Sequence, residues 1–158
     1  MGHQLSDVSA IGLASGADDD PVGRLAVDHA SLKDPDYREG DWGPAYLVCG
    51  DSADMGVVRL RPGDAMPNHI HRFCDESFVV IEGTASLWVE ASTRIHLDVD
   101  QVVRCAPGEM HYLVNDSDAV FRCVFIKSPS SPGDTEVIPW EPGEPVPTVA
   151  TGPAENRT

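Results

Sequence analysis

"PNHIHRFCDESFVVIEG", residues 67–83, decides how this chain is read. It joins a polar start to a run of β-formers that ends on glycine. In a β-strand, residues two apart point to the same face. His69 and His71 therefore present two imidazoles side by side, with Ile70 facing the other way. The short turn RFCD then returns the chain so that Glu76 opens the next strand and adds a carboxylate oxygen. Imidazole nitrogen binds borderline metals such as Fe, Mn, Ni, Cu, Zn and Co. Alone, a His-x-His pair is a weak sign, more often surface chemistry than a metal site.

Around this stretch the chain keeps one texture. Short β-rich runs follow from Ala45: AYLVC, GVVRLR, NHIH, SFVVIE, ASLWVE, RIHLD, QVVRCA, HYLVN and VFRCVFIK. They are separated by segments such as PGDAMP, EGT, DVD, APGE and NDSDA, which carry the Gly, Pro, Asn and Asp that turns require. No segment here sustains a helical period, so the spacing predicts an all-β antiparallel sandwich or barrel. Residues 1–40 are weakly patterned and expected to be irregular, residues 41–127 form the barrel, and residues 128–158 read as a Pro/Gly-rich extended tail. Trp140 is the residue able to pin the first part of that tail to the barrel.

The 158 residues are the size of one domain, and 41% of them are hydrophobic, enough for a real core. Asp and Glu number 26 against 11 Lys and Arg, a formal charge of −15. Such a surface repels phosphate backbones and anionic membranes, so neither nucleic acid nor membrane is expected as a partner. No apolar run approaches the roughly 18 residues of a membrane span, and no basic flank precedes an apolar signal region. The expected location is the cytoplasm, with Cys49, Cys74, Cys105 and Cys123 reduced.

A third imidazole, His111, follows CAPGEM where a new strand starts. The strands between should return the chain to the same barrel end. Three imidazoles and one carboxylate would leave coordination positions open, as in a catalytic site. The first spacing runs Gly63, five residues, His69, one, His71, four, Glu76, six, Gly83. It resembles the first motif of the cupin superfamily, and APGEMHYLVN, with Gly108, His111 and Asn115, resembles the second. Asp100 stands where that second motif usually opens with Gly, and Ala106 where a Pro is common, with Pro107 one place later. Neither touches a ligand.

The resemblance implies a jelly-roll β-barrel with one divalent transition metal held by His69, His71, Glu76 and His111. It implies Fe(II) first, with Mn, Ni, Zn, Co or Cu as alternatives, a small-molecule substrate and a homodimer. Strand alternation from Glu76 and His111 points Phe78, Val80 and Leu113 to the same lumen. Tyr46, Trp88 and Phe125 are further candidates for substrate walls, with core packing an equal reading for each. Arg59, sharing a face with Arg61, is a candidate partner for a substrate carboxylate, against the alternative of pairing with the many acids. Cupin lyases that split dimethylsulfoniopropionate typically carry a tyrosine two residues after the glutamate. Phe78 stands there instead, which argues against that chemistry.

Three functions remain open on these residues. The first expectation, favoured slightly by the apolar lining read from Phe78, Val80 and Leu113, is an Fe(II)-dependent oxygenase acting on an enol, diol or keto acid. Another is a redox-neutral isomerase, cyclase, epimerase or lyase in which Glu76 or a wall residue moves the proton. The third is a non-catalytic metal or small-molecule binding protein.

Overall fold

The computed structural model describes residues 28–148. Most of the segment expected to be irregular, residues 1–27, and the last part of the tail, residues 149–158, lie outside the described residues. Ten strands follow one another: β1 (Gly43–Cys49), β2 (Asp54–Leu60), β3 (Ala65–His71), β4 (Asp75–Glu82), β5 (Ala85–Val89), β6 (Thr93–Leu97), β7 (Val102–Cys105), β8 (His111–Val114), β9 (Phe121–Ser128) and β10 (Thr135–Val137). They form two antiparallel five-stranded sheets, in the orders β1-β2-β9-β4-β7 and β10-β3-β8-β5-β6. The fold is the expected all-β jelly roll. The first nine strands are the nine runs read from the sequence, and β10 lies in the stretch read as tail.

Alternation explains what is buried. On β9, Phe121, Cys123 and Phe125 are fully buried while the residues between them are half-exposed. On β4, Glu76, Phe78 and Val80 alternate the same way. These faces meet Val58, Leu60, Leu87, Leu97 and Leu113 in the core between the sheets. Residues directly opposite across a ladder share a face. Glu76, Lys127 and Asp54 therefore stand in one row across β4, β9 and β2, with Phe78, Phe125 and Gly56 in the next.

A second apolar cluster covers the outer face of the other sheet. Ile70, Met110, Tyr112 and Trp140 are buried there, with Trp88 packed against them. The Trp140 ring lies 5.9 Å from that of Trp88 and 6.0 Å from that of Tyr112. Burying a large aromatic ring stabilises by about 2–3 kcal/mol. A mutual pair of hydrogen bonds between Asn68 and Ile138, each 2.9 Å, fastens the same segment. The chain after residue 127 is thus held to the barrel as far as Trp140, as the tryptophan suggested.

Three motif glycines have the left-handed backbone that glycine tolerates best: Gly63 (φ +85°), Gly83 (+69°) and Gly108 (+85°). Asp100, in place of the usual glycine, adopts φ +70°. The short polar side chains of Asp and Asn visit this region more readily than others, so the departure keeps the turn.

Candidate metal centre

Three strands deliver the site. β3 ends with His69 and His71 in its last three residues, β8 begins on His111 directly opposite His69, and β4 brings Glu76, its second residue, from the facing sheet. The second motif's turn is clamped to the first by the Gly108 amide, which donates to the His71 carbonyl at 2.7 Å. Ile70, pointing the other way, anchors β3 in the outer cluster.

The Nε2 atoms of His69, His71 and His111 lie 3.3, 2.9 and 3.0 Å from one atom, Glu76 Oε2. All four residues are buried, and one donor atom from each falls within 4.8 Å of the others. His69 Nδ1 faces the Pro67 carbonyl at 2.6 Å and His111 Nδ1 faces the Glu109 carbonyl at 2.9 Å. A carbonyl only accepts, so both Nδ1 atoms carry the proton. In the neutral ring Nε2 is then a lone pair, and these lone pairs point at a carboxylate. Buried acceptors facing one another need a cation between them. A divalent transition metal fits this donor set, three neutral nitrogens and one anionic oxygen. Four protein ligands leave positions open in an octahedral shell.

Protonation follows the same logic. Burial opposes ionisation of Glu76, yet the His111, His69 and His71 rings around it hold it well below the usual carboxylate range, because a second proton on any of them turns its Nε2 into a charged donor. Burial pushes His69 down. Burial also opposes charge on His111, but the hydrogen bonds a protonated ring donates to Cys105 and Glu76 overcome it and raise that imidazole to about 10. A proton on His111 thus supplies positive charge where a metal ion would.

The structure adds a residue that the sequence reading missed. Asp134, in the turn before β10, accepts hydrogen bonds from the backbone amides of Arg72 (2.9 Å), Phe73 (3.0 Å) and Cys74 (3.2 Å). Burial would raise its carboxyl, but these amides hold it below the ordinary value. One carboxylate oxygen lies 4.0 Å from His71 Nδ1, with both side chains 2% exposed. That Nδ1 is buried and makes no hydrogen bond. Asp134 is thus an anion 4.0 Å behind the imidazole of His71, a candidate ligand, longer than a hydrogen bond but placed to favour a proton on Nδ1, as carboxylates behind metal-binding histidines do. Asp134→Asn should weaken divalent-metal binding by about 10–100-fold, read by competition with a chelator. Unchanged affinity would reduce Asp134 to a tie for the 72–74 turn.

The remaining candidates are distributed as follows. Phe78, Val80 and Leu113 are in the central core, with the Phe78 ring 6.1 Å from that of His111. Tyr46 and Phe125 meet edge-on at 5.0 Å. Trp88 is on the outer face, against Trp140. Arg59 alternates with buried Val58 and Leu60, and pairs with Asp41. Arg61 pairs with Asp64 at 2.8 Å and with Asp41 at 3.2 Å. None of these last three reaches the histidines. All four cysteines are free thiols.

Comparison with known proteins matches this construction. The family described as "Cupin domain" matches residues 56–127, which span β2 to β9 and all four site residues. The tetracenomycin polyketide synthase protein TcmJ of Streptomyces glaucescens is 30% identical over 115 residues, covering 66% of this chain and 76% of that protein. The polyketide synthase CurC of Streptomyces cyaneus is 31% identical over 85 residues, 54% of each chain. Among solved structures, a conserved protein with a double-stranded β-helix domain from Klebsiella pneumoniae superposes with a TM-score of 0.58 at 20% identity. The match covers 64% of this chain and 89% of that one, a likeness of fold. With both motifs in place on two antiparallel sheets, and with relatives at this coverage, the chain belongs to the cupin superfamily.

Proposed function

We propose that this cupin is a metal-dependent enzyme acting on a small enolisable carbonyl compound of polyketide type, by redox-neutral chemistry. The observation that carries the proposal is the convergence of three imidazole Nε2 atoms on one Glu76 oxygen, with two tautomers set by backbone carbonyls. A divalent transition metal bound there would act as a Lewis acid on a carbonyl or enolate oxygen, or as Fe(II) would activate dioxygen. Two relatives named as polyketide synthase proteins support the substrate class.

The chain's own residues have separate duties. His69, His71 and His111 would hold the ion through Nε2, and their buried setting excludes bulk water. Glu76 is ionised and surrounded by all three histidines, which makes it a ligand first and a weak base. Proton transfer then falls to a group at the barrel mouth, where Lys127 and Tyr46 stand next to each other.

A second reading, the Fe(II)-dependent oxygenase, is favoured by one observation: Phe78, Val80 and Leu113 make the interior beside the ligands apolar. The two readings part in one experiment. The metal-free protein is loaded in turn with Zn, Mn, Ni and Fe(II), and each form is mixed with a panel of aromatic β-diketones and β-keto acids. The products are weighed by mass spectrometry while oxygen is monitored. Turnover with Zn, product mass equal to substrate or less one water, and no oxygen uptake are expected. Products gaining one or two oxygen atoms with Fe(II) alone would replace this proposal by the oxygenase. No bound metal, or turnover insensitive to chelation, would end both.

A further inference from the structure

Lys127 is a cation that the strand pattern carries inward. On β9 it continues the buried face of Phe121, Cys123 and Phe125, and it stands opposite Glu76 on β4 and Asp54 on β2. Six arginines of the described chain, Arg59, Arg61, Arg72, Arg94, Arg104 and Arg122, pair with carboxylates. Lys127 instead donates to the Tyr46 hydroxyl at 2.8 Å. Its ammonium lies 5.4 Å from the Tyr46 ring and 5.9 Å from the Phe125 ring, within cation–π range. Gly56 makes room for the Phe125 ring, because a Cβ there would collide with that ring and with the Ala45 carbonyl oxygen.

Beside the ammonium a cleft of about 430 Å³ opens, lined in part by Tyr46, Asp54, Lys127, Ser130, Ser131 and Thr135. That volume falls among ordinary small-molecule sites, roughly 300–1,000 Å³. Two strand pairs join the cleft to the metal centre: Lys127 opposes Glu76, and Thr135 opposes His71. The donors converge. Lys127 keeps two N–H bonds beyond the one given to Tyr46, and the Tyr46 hydroxyl keeps its own proton to donate. Asp54, buried and held by the Ser130 hydroxyl at 2.9 Å, is a fixed acceptor.

We propose that this cleft binds a planar hydroxylated aromatic or enolised acid. The ligand's oxyanion lies against Lys127 and Tyr46, its ring against the Tyr46 ring, and its hydroxyl donates to Asp54. The assignment of such a ligand as substrate rests on the metal-enzyme reading above; the binding itself does not. In a chain of net charge −15, an anion needs a local cation to be held, and Lys127 provides it.

The test is fluorescence titration of the full chain with 1-hydroxy-2-naphthoate and with its uncharged amide, with and without metal. Lys127→Met should weaken naphthoate binding by roughly 10–100-fold, the range of a charge-assisted hydrogen bond, while changing amide binding by less than about threefold. Lys127→Arg should keep most of the naphthoate affinity, and Tyr46→Phe should lose roughly 3–10-fold. His111→Ala, which removes a metal ligand, should leave naphthoate binding within about threefold. Thermal melts confirm that each variant is folded. Equal naphthoate affinity in wild type and Lys127→Met would overturn the proposal. So would binding that disappears in His111→Ala and persists in Lys127→Met, which would place the anion on the metal and leave the enzyme reading intact. Naphthoate binding that follows Lys127 in a protein showing no metal-dependent turnover would support the cleft and sink the enzyme reading.

Discussion

His111→Ala should yield a folded chain that binds a divalent transition metal at least about 100-fold more weakly than wild type. The lower bound is physical: groups that only orient a ligand are already worth about 10–100-fold in affinity. His111 gives its nitrogen directly and is the site's donor from β8. The variant should still fold, because Tyr112 and Leu113 next to it hold β8 in both apolar clusters. Elemental analysis after dialysis should find about one ion per wild-type chain and almost none in the variant, given the three-nitrogen, one-carboxylate donor set. A metal at 100 times its Kd adds about 2.7 kcal/mol of stability, a rise of roughly 5–10 °C in Tm for a domain of this size. That rise should vanish in His111→Ala. The control is His96→Ala: His96 is exposed and pairs with Asp98 at 3.4 Å, so metal content should not change. A His111→Ala protein that keeps its metal would remove the basis of the site.

The pairing of His69 with His71 was legible from a local rule, whereas His111 was placed beside them by the resemblance of its segment to the second cupin motif. Alternation puts His69 and His71 on one face, and two separated motifs agree in residue type and spacing. The strands were legible for the same reason, since glycine, proline and aspartate mark almost every turn. Which face of a strand looks inward was less accessible where both faces are apolar. Trp88 sits one residue from core-facing Leu87, and the outer face it occupies is closed by Trp140 from the far end of the chain. Arg59 shows the same ambiguity between two buried neighbours, Val58 and Leu60. Lys127 and Asp134 were not legible at all. Lys127 gains its meaning from register against Glu76 and Asp54. Asp134 lies in SPGDTE, whose composition reads as loop, and its role comes from β10 pairing with the ligand strand. Which strands far apart in sequence come to lie side by side is settled only in the assembled sheet.

The glycines of the first motif give the other large effect, and they should not behave alike. Gly63 has φ +85°, and a Cβ there would meet nothing within 4 Å. Gly63→Ala should therefore cost only the left-handed backbone penalty, about 1 kcal/mol. Gly83 has φ +69°, and a Cβ there would run into the Val120 carbonyl oxygen and lie 3.1 Å from its carbonyl carbon. That carbonyl is backbone leading into β9, where Phe121 is fully buried, so it has little room to yield. Gly83→Ala should add an overpacking cost to the dihedral penalty, about 3 kcal/mol in all. In thermal melts the two variants should fall by roughly 2–4 °C and 6–12 °C. Gly83 lies at the opposite end of β4 from Glu76, so metal affinity per folded molecule should be unchanged in both. Equal losses would mean that the turn's dihedral alone requires Gly83. A larger loss at Gly83 with intact metal binding means that this glycine lets the β4–β5 turn lie against β9, closing the end of the barrel away from the metal.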